Sequence, residues 1–400
     1  MPRFGRNLSL AGDIWSWEAL AGSLPCLGPI RADKSEYPTK KVKVEMKRGS
    51  SADLLVLADS LDRVEARGSL TKSERSYALV VGSEQRPLRA GPIELKPDMQ
   101  AAEAFQIVAR ACVGQFRLNE PMLIASRSAE PLHQVRVAMR RLRSALSLFK
   151  PVVADHEYGR FKRGLRDLSH KLGEARDLDV YIARSTVANA SESGGLPRLA
   201  PESAGRVQAE RDKTYRRVIS ALQSKRFRLL MQNFVIWIEA GPWCTWEEPK
   251  KKGARDQAIL DFAAHVLDRR WRKLKHGGRH LDRLSPEQRH RIRIDAKKLR
   301  YASEFMTSLM GNPKNRKLHK GFIAALESLQ ARLGDLNDVQ TGQEIAARLA
   351  PPEAVATTGS DAARALAGHL GEQKERIATP LGLASKAHRQ LLDARPFWKL

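Results

Sequence analysis

Cysteine is scarce in this chain: Cys26, Cys112 and Cys244 are the only three, far apart and without paired spacing. That argues against a disulfide framework and a zinc site, and leaves them as reduced structural thiols. Long apolar runs are missing too. No stretch reaches the roughly 18 apolar residues of a membrane span, and the opening MPRFGRNLSLAGDIWSWEAL carries no clear hydrophobic signal segment with a cleavage site. The expectation is a soluble cytoplasmic protein. Acid is the third shortage: 45 Asp and Glu stand against 70 Lys and Arg, a formal net charge of +25. A balance this basic suits an anionic polymer or an anionic surface as partner.

The 400 residues are enough for two or three domains with a large core. Strand-like text is confined to the beginning, where KKVKVEMKRG alternates and SYALVV is a second candidate; SADLLVLADSLDRVEARG between them reads as a short helix. From Asp98 onward the text is helical, beginning at DMQAAEAFQIVARACVGQFRLNE with Asp98 or Met99 at the N-cap position. Gly- and Pro-containing breaks at 193–205, 247–256, 276–288 and 349–362 separate segments long enough for helical bundles.

Two of those segments share an unusual pattern. HQVRVAMRRLR begins at His133, and HRIRIDAKKLR begins 157 residues later at His290. At roughly 100° per residue, His133, Arg136, Arg140 and Arg143 fall on one stripe about 80° wide and roughly 15 Å long. Val135, Ala138, Leu142, Ala145, Leu146 and Phe149 gather opposite, as on a helix packed against a core. The basic ladder is therefore expected to face outward. In the second copy His290, Arg293, Lys297 and Arg300 hold the same offsets, opposed by Ile292, Leu299, Ala302 and Met306; Arg141 and Lys298 match at the flank. Residues 133–150 contain no Asp or Glu, so like-charge repulsion goes uncompensated on the helix itself, which favours a ligand-binding face over an ordinary solvated one.

A second motif recurs in the same order. LGEARDLDV follows the first His by 39 residues and LGDLNDV follows the second by 43. Two matches in one order point to a duplicated helical unit, and a pseudo-twofold arrangement would bring both ladders to one cleft. Asp177 and Asp338 are expected to pair with ladder arginines or to cap helices, and Gly173 and Gly334 to permit close helix contact or a bend. Trp237, Trp243, Trp246 and Trp271 are expected to fill core or interhelical gaps. His133 and His290 suit phosphate contact or support of the ladder; a structural role or metal ligation are the alternatives, although no Asp, Glu or Cys follows either at i+3 or i+4.

HQVRVAMRRLRSALSLFKPVV, LGEARDLDV, HRIRIDAKKLRYASEFM, LGDLNDV and the terminal RPFWK together resemble the CHAD family, an all-helical domain with a His-x-x-Arg-Val-x-x-Arg-Arg-x-Arg helix and a second, similar half. The resemblance covers about 98–399, with halves at about 98–245 and 255–399. It implies a mainly α fold of duplicated helical bundles and binding of inorganic polyphosphate on a basic surface formed by both halves. Carried over to matching positions, the binding residues are His133, Arg136, Arg140, Arg143, His290, Arg293, Lys297 and Arg300, with Arg141 and Lys298 beside them and Arg163, Arg166, Lys171 and Arg176 as helpers. No catalytic residue, cofactor or metal is expected. Residues 1–92 resemble the last portion of a CYTH triphosphate-tunnel domain, a small α+β remnant in which Glu45 and Lys47 survive but two carboxylate positions have become Lys41 and Lys43. Triphosphate hydrolysis by that fold needs carboxylates to hold a divalent metal, so no triphosphatase activity is expected.

Guanidinium groups suit polyphosphate because they give paired hydrogen bonds to phosphate oxygens and stay charged at cellular pH. The rival partner is nucleic acid, which a basic protein binds non-specifically at low salt; the ladders lack the interleaved aromatics of a base-stacking platform. A phosphate-polymer hydrolase is the weaker alternative, since a phosphohistidine step would need a positioned acid. The expected setting is the cytoplasm, with association to polyphosphate granules.

Overall fold

The computed structural model describes residues 8–10, 13–15, 30–32, 35–37, 86–187, 201–349 and 380–398. The chain divides into two compact units, 1–86 and 87–400. In the first, β1 (Leu8–Leu10) pairs antiparallel with β2 (Asp13–Trp15), and β3 (Ile30–Ala32) with β4 (Ser35–Tyr37). The strands expected at 40–49 and 76–81 and the helix expected at 51–68, with Lys41, Lys43, Glu45 and Lys47, lie outside the described residues.

The second unit is mainly helical. Its helices are α1 (Ala101–Ser126), α2 (Ala129–Leu148), α3 (Lys150–Val153), α4 (Tyr158–Val187), α5 (Pro201–Gln223), α6 (Lys225–Ala240), α7 (Pro249–Arg255), α8 (Ile259–Gly277), α9 (Pro286–Phe305), α10 (Pro313–Leu349) and α11 (380–393). No helix among the described residues is long and apolar enough to cross a membrane.

Several boundaries differ from the sequence expectation for physical reasons. The N-cap of α1 is Gln100, not Asp98 or Met99, and its side chain makes no capping bond. A distant strand-like contact sets the start instead: Gln100 bridges Ala258, and the Ala101 N–H donates to the Gln257 carbonyl at 2.8 Å. The expected break at 247–256 folds as α7, with Pro249 in its first turn, where a missing N–H costs nothing. The start of α9 follows local rules, because Ser285 and Gln288 form a capping box ahead of Pro286.

Residues 87–97 belong to the helical unit rather than to the preceding segment. Asn119 accepts from the Leu88 N–H at 2.8 Å and donates to the Leu88 carbonyl at 2.9 Å. Further along, the Leu95 N–H donates to Ser308 Oγ at 2.7 Å, and Ile93 and Leu95 are buried. One continuous core then runs from Ile93 to Phe397. The apolar stripes of both ladder helices lie in it: Val135, Ala138, Leu142, Ala145 and Leu146 on α2 with Phe149 just after it, and Ile292, Leu299 and Ala302 on α9 with Met306 just after it, are all buried. Phe149 stacks on Phe262 of α8 with ring centroids 4.8 Å apart, and through Phe105 it joins an edge-and-face cluster with Phe161, Phe234, Trp237 and Trp243. Trp237, Trp243 and Trp271 are buried and Trp246 is partly buried against the core. The terminal RPFWK stretch closes the other end, Phe397 and Trp398 packing on Phe322.

Four helices place the basic residues. Helix α2 packs on α4 and on α9, α10 packs on α9 and on α4, and the four contacts close a ring. This changes the direction of the ladders. A helical wheel shows which residues share a face, but the polar face of α2 meets a second layer of helices, so Arg136, Arg140, Arg293 and Lys297 are half-buried between helices and not outward.

Candidate functional site

Arg136 and Arg140 from α2, Arg176 and Asp177 from α4, Arg293 and Lys297 from α9, and Asn337 and Asp338 from α10 meet inside that ring. Their mutual electrostatics show the closeness. Burial lowers the Arg136 pKa to about 10 against the pull of Asp177, with Arg140, Arg293 and Arg176 adding repulsion. Lys297 falls further, to about 6, through burial first and then Arg293, Arg140 and Arg136. Arg293 is lowered by burial, with Arg140 adding to it and Asp338 and Asp177 opposing. Loss of hydration outweighs the available counter-charge at each of these cations.

Counter-charge is sparse. Asp177 reaches Arg136 at 3.6 Å, and burial still holds its own pKa above the usual carboxylate range. Asp338 is engaged by Arg184 at 3.0 Å, and Asp335 by the same guanidinium at 3.4 Å, which fastens α4 to α10. The expectation that these aspartates pair with ladder arginines thus holds for Asp177, whereas the ion pair of Asp338 is with a residue outside the ladder. Among the described residues Arg140 has no carboxylate partner, and its buried Nε, like that of Arg293, has no hydrogen-bond partner. Buried guanidinium nitrogens without acceptors leave donors open to an oxygen-rich anion.

The remaining predicted residues fall into three other surroundings. His133 is half-buried at the edge of the ring, and its pKa is lowered by burial and by Arg176, with Glu130 opposing. His290 is exposed, with Nδ1 3.1 Å from Asn337 Oδ1, and the same oxygen accepts from Arg293 Nη2 at 3.1 Å. Arg143 lies near Arg166, which reinforces the lowering by burial; Arg163, Arg166 and Lys171 are exposed on α4. Arg300 is clamped between Glu304 at 2.9 Å and Glu327 at 3.2 Å, so it is a neutralised rung. Lys298 turns toward Asp295, 4.0 Å away. Arg141 is 7% exposed and lies over the Phe305 ring, 5.6 Å from its centroid.

Asn337 is a site residue the sequence reading did not single out. It occupies the position of Arg176 when the two LG motifs are set in register. The clamp on Arg300 was half visible, since Glu304 is its i+4 neighbour; Glu327 arrives from α10 and left no local signal. Gly173 accommodates Arg136: a Cβ added there would stand 3.2 Å from Nη1, and that guanidinium also reaches the Leu172 carbonyl at 3.5 Å. Gly334 faces open space, so the close contact expected there does not occur. Asp179, two residues beyond Asp177 and therefore on the opposite face of α4, is buried against α5, accepting from Arg211 at 2.7 Å and from Tyr215 Oη at 2.7 Å.

Fold and site together define an all-helical domain organised around a half-buried basic seam. The family model of the CHAD domain matches residues 107–347, well over half of the chain, and the chain belongs to that family. It is similar in structure to the CHAD domain from the plant Ricinus communis, with 27% identity and a TM-score of 0.56 over 76% of this chain and 96% of that one. PptA from Streptomyces chartreusis is similar in fold, at 14% identity and a TM-score of 0.50 over 73% of this chain and 100% of that one. No curated protein matches the chain.

Proposed function

We propose that this protein binds inorganic polyphosphate in the seam where α2 and α9 face each other between α4 and α10. One observation carries the reading: Arg140 and Arg293 converge there with buried Nε atoms that have no acceptor and too few carboxylates around them. The link of CHAD domains in general to polyphosphate supports it. A row of phosphates supplies what the seam lacks, namely closely spaced oxygens and one negative charge per internal phosphate. Matched positions of the two copies reach the same seam, Arg136 with Arg293, Arg140 with Lys297 and Asp177 with Asp338, which supports a duplicated unit with pseudo-twofold symmetry.

Titration with long-chain polyphosphate and with single-stranded DNA of equal charge tests the proposal. Polyphosphate is expected to bind at least about tenfold more tightly near physiological salt, with affinity falling steeply as salt rises. Equal binding of the two polymers would overturn it in favour of a generic basic surface. Association with polyphosphate granules follows from the same reading.

We further propose that the chain is not a hydrolase. The support is the sequence of the CYTH-like segment, where Lys41 and Lys43 replace carboxylates a metal would need.

A smaller substitution probes the seam's geometry. Gly173→Ala is expected to stabilise α4 by about 0.5–1 kcal/mol through helix propensity, since the atom it meets is the movable tip of Arg136. The same change displaces that guanidinium, so polyphosphate affinity should drop severalfold while the melting temperature rises. A fall in both would place Gly173 in the packing alone.

A further inference from the structure

Beside the seam lies a second cavity, of about 910 Å³, between the ladder crossing and residues 89–94. Helix α2 contributes His133, Gln134 and Arg141, and α9 contributes Arg300, Tyr301 and Glu304. The wall formed by 89–94 is held at both ends by the Leu88–Asn119 and Leu95–Ser308 hydrogen bonds. The cavity is thus a built feature of the helical unit, not a fold of loose chain.

Arg141 is the unusual group in it. The side chain is more than nine-tenths buried, its guanidinium reaches the buried Cys112 thiol, its Nε has no hydrogen-bond partner, and among the described residues no carboxylate forms an ion pair with it. Three of the four carboxyls lining the cavity are already engaged: Glu304 and Glu327 hold Arg300, and Glu130 accepts from Gln134 Nε2 at 2.7 Å. Glu304 is the carboxylate that acts on Arg141, and Arg300 already holds it, so the buried guanidinium lining this cavity still has room for an anionic group from outside.

The form of that anion follows from the surroundings. Glu94, Glu130, Glu304 and Glu327 line the same cavity, and a continuous polyanion threaded past all four would be repelled. A single compact phosphate reaching Arg141 meets Glu304 beside it, which Arg300 already neutralises. His133 lines the cavity and also lies close to Arg136, Arg140 and Arg176 of the seam. It therefore stands where the two sites join.

We propose that this cavity receives the terminal phosphate of a polyphosphate chain, seated on Arg141, while the rest of the chain passes His133 into the seam. The inference rests on the polyphosphate reading above, and it makes the protein a reader of chain ends as well as of charge.

End-blocked long chains, with both terminal phosphates converted to phosphoramidates, separate the two sites. In wild-type protein, blocking the ends is expected to weaken binding about tenfold or more, the worth of a charge-assisted hydrogen bond to a buried guanidinium. Arg141→Met should bind free-ended and blocked chains equally, both at the blocked wild-type level. Arg141→Lys, which keeps charge and packing, should retain part of the preference and serves as the check if the methionine variant folds poorly. Blocked and free-ended chains binding wild-type protein alike would overturn the proposal, as would an Arg141→Met variant that keeps the full preference. Orthophosphate at millimolar concentration should compete only for the end-dependent part; competition that weakens blocked chains equally would also overturn it. Failure of the polyphosphate reading looks different, because wild-type protein would then bind both kinds of chain no more tightly than single-stranded DNA of equal charge.

Discussion

Replacing Arg140 and Arg293 together by alanine is expected to reduce polyphosphate affinity by about a hundredfold or more while the helical fold persists. Each guanidinium supplies charge-assisted hydrogen bonds worth about 1.5–3 kcal/mol, and two such losses correspond to roughly two to four powers of ten in the dissociation constant. The fold should survive because Arg140 has no carboxylate partner among the described residues to leave stranded, and removing two of the mutually repelling cations relieves the free seam. Circular dichroism and thermal melting would confirm helicity, with a melting temperature at or above that of the wild type. An exposed pair on α4, Arg163→Ala with Lys171→Ala, is the control and should cost only a few-fold at moderate salt. If the control weakened binding as much as the seam variant, polyphosphate would be held on the outer face of α4 and the seam assignment would fall.

The second large effect is a proton taken up on binding. In the free protein Lys297 titrates at about 6, against an ordinary value of 10.5, because it is buried beside Arg293, Arg140 and Arg136. It is therefore mostly neutral near pH 7.5. Phosphate oxygens placed beside it favour the charged form, so its pKa rises in the complex. The sign follows directly. Below about pH 6 the lysine is charged in both states and pH has little effect; above that, binding must recruit a proton, and affinity falls as pH rises until the bound-state pKa is passed. Titration calorimetry near pH 7.5 in buffers of different ionisation enthalpy should show uptake approaching one proton, and Lys297→Met should abolish most of it. An affinity unchanged between about pH 6 and 8.5 with no proton exchange would contradict the placement of phosphate at Lys297.

The same group links function to stability. Between about 6 and 10.5 the unfolded chain holds a proton on Lys297 that the folded chain does not. The stability cost is therefore greatest at low pH and lessens as pH rises through that window. Lys297→Met should accordingly stabilise the free protein near neutral pH, by about 1–3 kcal/mol by analogy with other buried charges replaced by apolar groups.

Helices and their buried faces were legible from periodicity, because each apolar stripe had one core to meet. The direction of the ladders was not, since it depends on α4 and α10 packing over a polar face, a tertiary fact with no trace in the wheel of α2 or α9. Arg300 illustrates the same limit: it shares its offset with Arg143, but Glu304 and Glu327 neutralise it while Arg143 faces Arg166. Asn337 could have been found by aligning the two LG motifs residue by residue, whereas the cavity at Arg141 needed the chain between Leu88 and Leu95 to be seen crossing the helices.

Arg140 and Lys297 occupy equivalent rungs, yet one is a permanent cation and the other changes charge near pH 6. On the proposed reading, a polymer with two identical ends and no direction would thus be held by two unequal hands. On that reading, when the surroundings turn alkaline the α9 side would hold through Arg293 without Lys297 while the α2 side kept both Arg136 and Arg140, so departure would start on the weaker half rather than with the whole chain at once. As the surroundings acidify toward about pH 6 both hands would be charged, and the grip would tighten.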